Sequence, residues 1–270
     1  MFKNYFKTAW RNLAKNKFSS FINIGGLAAG MTVALLISLW IYDELSFDKN
    51  HENYKRIVQV MANSNVSDGI ATQSVLPVPL SAELKNKYGS DFKYVASALP
   101  SQQSIAYGDN AFLQTGYYAE PDFTNIITLQ MLEGTTAALQ NPGSVLLNAS
   151  TAKAIFGNKE PLNKLIVLNG SSTFKVAGVY KDMPQNTEFN DMNFIAPVAS
   201  LFTKSSDMND WYSNAFNVYA LLNTSGNATA ISSKIKNVLY EHSKDASKPS
   251  LFLYPMQQWH LYEFKNGQLA

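Results

Sequence analysis

Between Phe18 and Tyr42 the chain runs 25 residues without a charged side chain, and the 17 residues before that run carry Lys3, Lys7, Arg11, Lys15 and Lys17 against no acid. A helix needs about 20 apolar residues to cross the hydrocarbon core of a bilayer, because every backbone amide there must find its partner inside the helix. Phe21 to Tyr42 meets that requirement, with Asn23 as its one weak interruption. Basic residues stay on the cytoplasmic side when a short flank decides orientation. The sequence therefore predicts residues 1–17 inside, 18–42 as a transmembrane helix and everything from residue 43 outside. Trp40 and Tyr42 then fall at the outer interface, where amphipathic rings prefer to lie. The alternative is a cleaved signal peptide, whose apolar core runs about 7–15 residues and ends in a small-x-small site. Here the run is longer and ends Trp40-Ile41-Tyr42-Asp43-Glu44, so an uncleaved span is predicted.

Ahead of the span, Phe2, Tyr5, Phe6, Trp10 and Leu13 recur at helical spacing, while Lys3, Lys7 and Arg11 follow four apart on another face. This is the pattern of a helix lying in the interface plane, rings toward lipid and cations toward headgroups. A helix packed on another part of the protein has the same pattern. Either way it stays at the inner leaflet, with Phe2, Phe6 and Trp10 as interface residues. Within the span, Gly26, Gly30, Ala34 and Ser38 recur every fourth residue and line one side. Small side chains let two backbones approach closely, and that packing is a main source of helix association in lipid. A transmembrane partner is expected on this face. The net charge of +2 also divides unevenly, because taking away the basic head leaves 17 Lys and Arg against 20 Asp and Glu. The basic pI thus belongs to a membrane-facing head and gives no reason to expect nucleic acid.

Residues beyond 50 are numerous enough for a substantial core. The chain has no cysteine, which rules out disulfides, thiol catalysis and cysteine-ligated zinc. Ile57 to Met61 reads as a strand, Pro79 to Tyr88 as a helix with Pro79 in its first turn and Gly89 as its stop, and Phe92 to Leu99 as a second strand. A similar unit recurs late in the chain. Phe216 to Leu222 is strand-like, residues 228–243 carry Ile231, Ile235, Val238 and Leu239 on one helical face behind an Asn227 cap, and Leu251 to Tyr254 is strand-like again. Two β-α-β units far apart in the chain predict an α+β fold. One split ferredoxin-like subdomain, residues 57–110 and 211–265, follows a juxtamembrane segment at 43–56 and carries an inserted mixed α/β subdomain at 111–210. The insertion should hold strands at 145–147, 165–168 and 174–179 and a helix at 150–156 closed by Gly157.

Motifs for chemistry are missing. There is no Gly-x-Ser-x-Gly, phosphate-cradling Walker loop or His-Glu-x-x-His, so no catalytic residue, metal ligand set or cofactor site is expected, and ATP must be handled by another chain. Asp43, Glu44, Asp48, His51 and Glu52 cluster just after the span, but without the spacing and turn glycine of an oxygen-ligated calcium loop. They read as a solvated acidic collar that blocks re-entry of the span. His242 ends a helix, where a cation suits the dipole, and His260 lies in a stretch, Trp259 to Tyr262, that reads as a strand or interface edge.

The residues also carry a family resemblance. Trp10-Arg11-Asn12-Leu13, Asn16-Lys17, Ser20 to Ile24 and Gly26-Leu27-Ala28 resemble the opening of MacB/FtsX-type ABC transporter permeases. Asp43 to Asp48, with His51 and Arg56-Ile57, is similar to that family's approach to its periplasmic core domain. Asp122-Phe123, Glu133-Gly134, the Ala152 to Gly157 helix with Pro161 and Lys164, Val176 to Val179 with Asp182 and Pro184, and Leu261-Tyr262 follow in family order. The resemblance implies a permease subunit in a bacterial inner membrane. Its periplasmic domain would be rearranged by a separate cytoplasmic ABC ATPase, its further transmembrane helices would form a permease dimer, and a periplasmic adaptor is a possible partner. Family substrates include lipoproteins, peptides and small toxic compounds, and some members regulate cell-wall enzymes instead. A single-span, membrane-anchored sensor or ligand-binding module is the rival reading. The chain departs from the family where Pro161-Leu162-Asn163-Lys164 lacks the usual turn glycine, leaving Asn163 to carry a left-handed turn. It departs again where Asn186-Thr187-Glu188-Phe189 replaces a Ser-His pair. Such permeases carry at least four spans, so a chain ending at Ala270 is expected to stop before its second.

Overall fold

The computed structural model of the chain describes residues 2–108, 110–202 and 209–270, and side chains from residue 4 onward. It divides into two compact units, Met1–Ser46 and Phe47–Ala270. The first holds α1, Phe2–Lys15, and α2, Lys17–Leu45, separated by Asn16. No residue of α2 is buried.

The outer unit is built on one mixed sheet. Its elements run β1 (Ile57–Val66), β2 (Gly69–Gln73), β3 (Val75–Pro77), α3 (Pro79–Tyr88), β4 (Phe92–Tyr107), β5 (Asn110–Ala119), α4 (Phe123–Ile126), β6 (Met131–Gly134), β7 (Ser144–Asn148), α5 (Ala149–Phe156), β8 (Leu165–Leu168), β9 (Ser172–Tyr180), β10 (Phe194–Pro197), β11 (Asn214–Leu222), α6 (Ala228–Ile235), α7 (Val238–Ser243), β12 (Ser250–Pro255) and a final hairpin, β13 (Phe264–Lys265) with β14 (Gln268–Leu269). The main strand order is β12-β1-β11-β4-β5-β10-β7-β9-β6. The antiparallel quartet β12-β1-β11-β4, with α3 following β1 and α6 and α7 following β11, has the order of a ferredoxin-like sheet, as the two separated β-α-β units require.

Alternation along β11 sorts the core. Val218, Ala220 and Leu222 join Leu80 and Leu84 of α3 and Ile231 and Ile235 of α6 in one cluster, while Tyr219 and Leu221 face the opposite layer with Phe123, Phe189 and Met256. Neighbouring side chains on a strand point to opposite faces, so a strand covered on both sides reads as an unbroken apolar run. A third cluster packs α5 against β7, β8, β9 and β10.

Local signals placed several elements closely. α3 starts with Pro79 in its first turn. Asn148 caps α5 by accepting from the Thr151 N–H at 3.0 Å, and Gly157 closes that helix at φ 61°, a backbone region open to glycine at little cost. Asn163 takes φ 62°. Asn227 caps α6 by accepting from Thr229 and Ala230. Other elements differ from expectation. Residues 228–243 form two helices instead of one, because the Lys236 carbonyl accepts from the Leu251 N–H of β12 at 2.9 Å and leaves the helical ladder. β4 extends eight residues past Leu99, and its far half pairs with β5 from Ala98↔Ala119 to Tyr107↔Asn110. That one strand therefore serves the ferredoxin-like quartet and the inserted region together.

Candidate functional site

In the membrane unit, α1 exposes Tyr5, Phe6 and Trp10; Phe2 opens the helix, but its side chain lies outside the described residues. The bend at Asn16, φ −106° and ψ 56°, is held where the Ser20 hydroxyl donates to the Leu13 carbonyl at 3.1 Å. α2 has 29 residues, about 43 Å at 1.5 Å per residue, longer than the roughly 30 Å hydrocarbon core. Its interior hydroxyls are satisfied within the helix: Thr32 donates to Ala28 at 2.8 Å and Ser38 to Ala34 at 2.7 Å, so neither needs water. A Cβ placed on Gly26 or Gly30 would meet nothing within 4 Å. The face they share with Ala34 and Ser38 is open, and nothing in this chain's own packing requires glycine there. Trp40 and Tyr42 stand exposed near the far end. The helix continues through Asp43 and Glu44 to Leu45, where the Ser46 N–H bonds back to Tyr42 and Asp43.

The outer unit opens with a lead-in, residues 47–56, that is fastened by buried polar groups. Asp48, His51 and Thr187 are 1%, 2% and 0% exposed. Asp48 adopts the left-handed backbone, φ 60°, and its N–H donates to the Asn186 carbonyl at 2.9 Å. Its Oδ1 accepts from the Thr187 hydroxyl at 2.6 Å and from the Glu188 N–H at 2.9 Å. His51 Nδ1 accepts from the Thr128 N–H at 3.1 Å. That bond assigns the proton to Nε2, 3.2 Å from the Thr187 oxygen. Protons thus point one way along a chain, from His51 to Thr187 to Asp48. Burial pushes the His51 imidazole down from 6.5 to about 4, keeping it neutral as this chain requires. Burial pushes the Asp48 carboxyl up, against the opposing pull of the Thr187 and Glu188 bonds and of His260. Its Oδ2 is buried without a hydrogen bond.

Beneath the lead-in lies an aromatic cluster centred on Phe189. Its ring meets Phe123 and Tyr219 at 5.6 Å, Tyr117 at 5.8 Å and Trp259 at 6.3 Å, all edge-on, the arrangement that ring quadrupoles favour. His51 meets it edge-on at 5.7 Å, and Phe47 stacks on His260 at 3.7 Å.

These groups fasten the lead-in and leave no room for chemistry. In a hydrolytic triad the histidine bridges the acid and an accessible nucleophile. Here the hydroxyl is the bridge, its proton is committed to Asp48, and it is wholly buried. The acidic collar read from the sequence is corrected accordingly: Asp48 and His51 are core groups turned to Thr187, and among the described residues no three His, Cys, Asp or Glu are grouped to hold a metal. Nor is His260 on a strand, since it lies in the turn after Met256–Gln258. His242 does end α7, stacked on Trp211 at 3.7 Å and 3.0 Å from a Glu83 oxygen. Sequence reasoning missed Thr187, noticed only as a departure from a family pattern. The signal available was two ionisable residues three apart, Asp48 and His51, at the threshold of a domain.

A profile of the MacB-like periplasmic core domain family matches residues 20–238. No curated protein matches. Among solved structures, a domain of a protein described as a permease from Porphyromonas gingivalis aligns at TM-score 0.65 and 15% identity, covering 76% of this chain and 91% of its own. The periplasmic region of MacB from Actinobacillus actinomycetemcomitans aligns at 0.56 and 18%, covering 75% and 90%. The extracellular domain of the noncanonic ABC-type transporter YknZ from Gram-positive bacteria aligns at 0.54 and 14%, covering 73% and 99%. At these identities the likeness is one of fold. Together with the family match across most of the sequence, it follows that the chain belongs to the MacB-like periplasmic core domain family, the outer domain of MacB/FtsX-type ABC transporter permeases.

Proposed function

We propose that this chain is a permease subunit of an ABC-type transporter or mechanotransmission complex in a bacterial inner membrane, with residues 1–17 cytoplasmic and 43–270 periplasmic. A separate cytoplasmic ATPase hydrolyses ATP, α2 moves with the other helices of a permease dimer, and the outer domain rearranges to export or extract a peptide, lipid-linked or small toxic substrate, with or without a periplasmic adaptor. The chain itself is no enzyme and holds no cofactor. Gly26, Gly30, Ala34 and Ser38 pack against partner helices; Phe6 and Trp10, with Phe2, lie at the inner interface and Trp40 and Tyr42 at the outer one. The pieces that rearrange are residues 57–110 with 211–265, and 111–210.

The observation that carries this reading is the uncovered 29-residue apolar helix leading through Ser46 into a compact unit whose first residues are locked by Asp48, His51 and Thr187, within the stretch that the family profile matches. A relay needs its receiving end fastened, and buried, directional polar bonds resist slippage better than surface contacts. The test is to purify the protein from its native membrane and follow a spectroscopic distance between labels at Ser64 and Lys159. The reading expects an ABC ATPase to co-purify and the distance to change on ATP binding. A protein that arrives without an ATPase, and whose distance answers only to a small ligand, is a sensor and not a permease.

A further inference from the structure

The bend between α1 and α2 encloses a cleft of about 290 Å³ lined by Trp10, Leu13, Lys17, Ser20, Phe21 and Ile24. Its walls are largely apolar; the Ser20 hydroxyl is already committed to the Leu13 carbonyl, and Trp10 adds a single indole N–H. That leaves the Lys17 ammonium as the one cationic group lining the cleft. Among the described residues neither Lys17 nor Lys7, Arg11 or Lys15 has an ion-pair partner. None is near in the chain: residues 1–42 contain no acid, and Asp43 lies about 39 Å away along α2, at about 1.5 Å per residue. An apolar cleft with one cation at its rim, on a segment whose sequence carries five basic residues and no acid, fits a molecule with an anionic head and a hydrocarbon tail.

We propose that this elbow is a binding site for one anionic phospholipid of the inner leaflet. Its phosphate meets Lys17, and a segment of acyl chain lies along Trp10, Leu13, Phe21 and Ile24. Free anions lack the tail that the walls accept, and zwitterionic lipids lack the net charge that the basic segment attracts, so both discriminations follow from the lining. Lys7, Arg11 and Lys15 add general attraction to the anionic surface, each worth about a fivefold change in partition. The site rests on the reading of α2 as a span, because only an inserted helix brings the elbow to a leaflet.

The full chain, placed in nanodiscs of equal phosphatidylglycerol and phosphatidylcholine, tests this by native mass spectrometry of the lipids that stay bound after the disc is removed. Phosphatidylglycerol should be retained about fivefold or more over phosphatidylcholine. Lys17→Gln should cut that preference about fivefold, whereas Trp10→Ala should lower retention of both lipids. Absence of a preference, or a preference that Lys17→Gln leaves intact, overturns the site. A carbonate wash of the membranes separates the two readings. A chain that washes off was never inserted, and span and site fall together; a chain that resists the wash but shows no lipid preference loses only the site.

Discussion

Leu35 and Leu36 in α2 and Leu221 and Leu222 in β11 are the same pair of side chains in two solvents. The first pair is more than 60% exposed, the second 0% and 3%. In the outer unit the quartet finds its cover within the chain: α3, α6 and α7 on one face, the Phe189 cluster on the other. In the membrane unit nothing covers α2. Apolar surface is worth about 25 cal/mol per Å² removed from water, so a helix of this composition cannot stay uncovered in water, and lipid or partner helices must do what the second layer does for β11. Core substitutions should therefore register in the outer unit's stability, and substitutions in α2 should register in membrane assembly.

The largest expected effect comes from removing the hub of the outer core. Phe189→Ala should cost about 3–5 kcal/mol, read as a fall in the melting temperature of the chain in detergent, while Leu35→Ala leaves that temperature unchanged. If both variants shift it equally, the two units share a core and the contrast between them fails.

Next in size is the pH response of the lead-in. His51 is held at about 4 against an ordinary 6.5, so the unfolded chain binds its proton more readily than the folded one. The stability it contributes is present above about pH 6.5 and is lost as pH falls toward 4, up to roughly 3 kcal/mol. Asp48, raised by burial, acts in the opposite sense. Its contribution is present below its ordinary 3.8 and is lost as pH rises through its raised folded value, so the two groups pull in opposite directions. Melting between pH 7 and pH 5 should show the loss, and His51→Gln, which keeps a donor toward Thr187 but cannot titrate, should flatten it. A profile of the same slope in His51→Gln would place the titrating group elsewhere.

Smallest in folding energy, within about 0.5 kcal/mol on the outer unit as for surface changes remote from its core, is the double replacement Gly26→Leu with Gly30→Leu. Its expected effect lies in assembly, where the added bulk should lower the cross-linked dimer recovered from membranes. Unchanged assembly would remove the packing role from this face.

How much of this was legible depended on how local each cause is. A 25-residue charge-free run points to a membrane-spanning helix, and α3 and α5 announce themselves by Pro79 and Gly157 within a few residues of their ends. The far half of β4 and all of β5 were missed, because Pro100 and the polar run from Ser101 to Ser104 lack the apolar alternation that marks a strand. Only pairing with β5, Pro100 opposite Tyr117 among others, makes a strand of them. Gly108, at φ 59° just inside the Tyr107↔Asn110 pair, was the local signal for that connection. The fastening of the lead-in lay beyond local reading altogether, since Asp48 and Thr187 are 139 positions apart and neither is apolar. A buried polar network is recognisable once its partners are in place, and the sequence alone does not say which distant hydroxyl a carboxylate will meet.

The central claim is that α2 spans a membrane with the basic head inside and the locked domain outside. The chain has no cysteine, so a single introduced thiol reports its own position without background. In spheroplasts treated with a membrane-impermeant maleimide, Ser64→Cys should label in intact cells, while Lys7→Cys should label only after the membrane is permeabilised. Labelling of Lys7→Cys in intact cells, with Ser64→Cys protected, would reverse the orientation, and equal labelling of both would mean that α2 does not span.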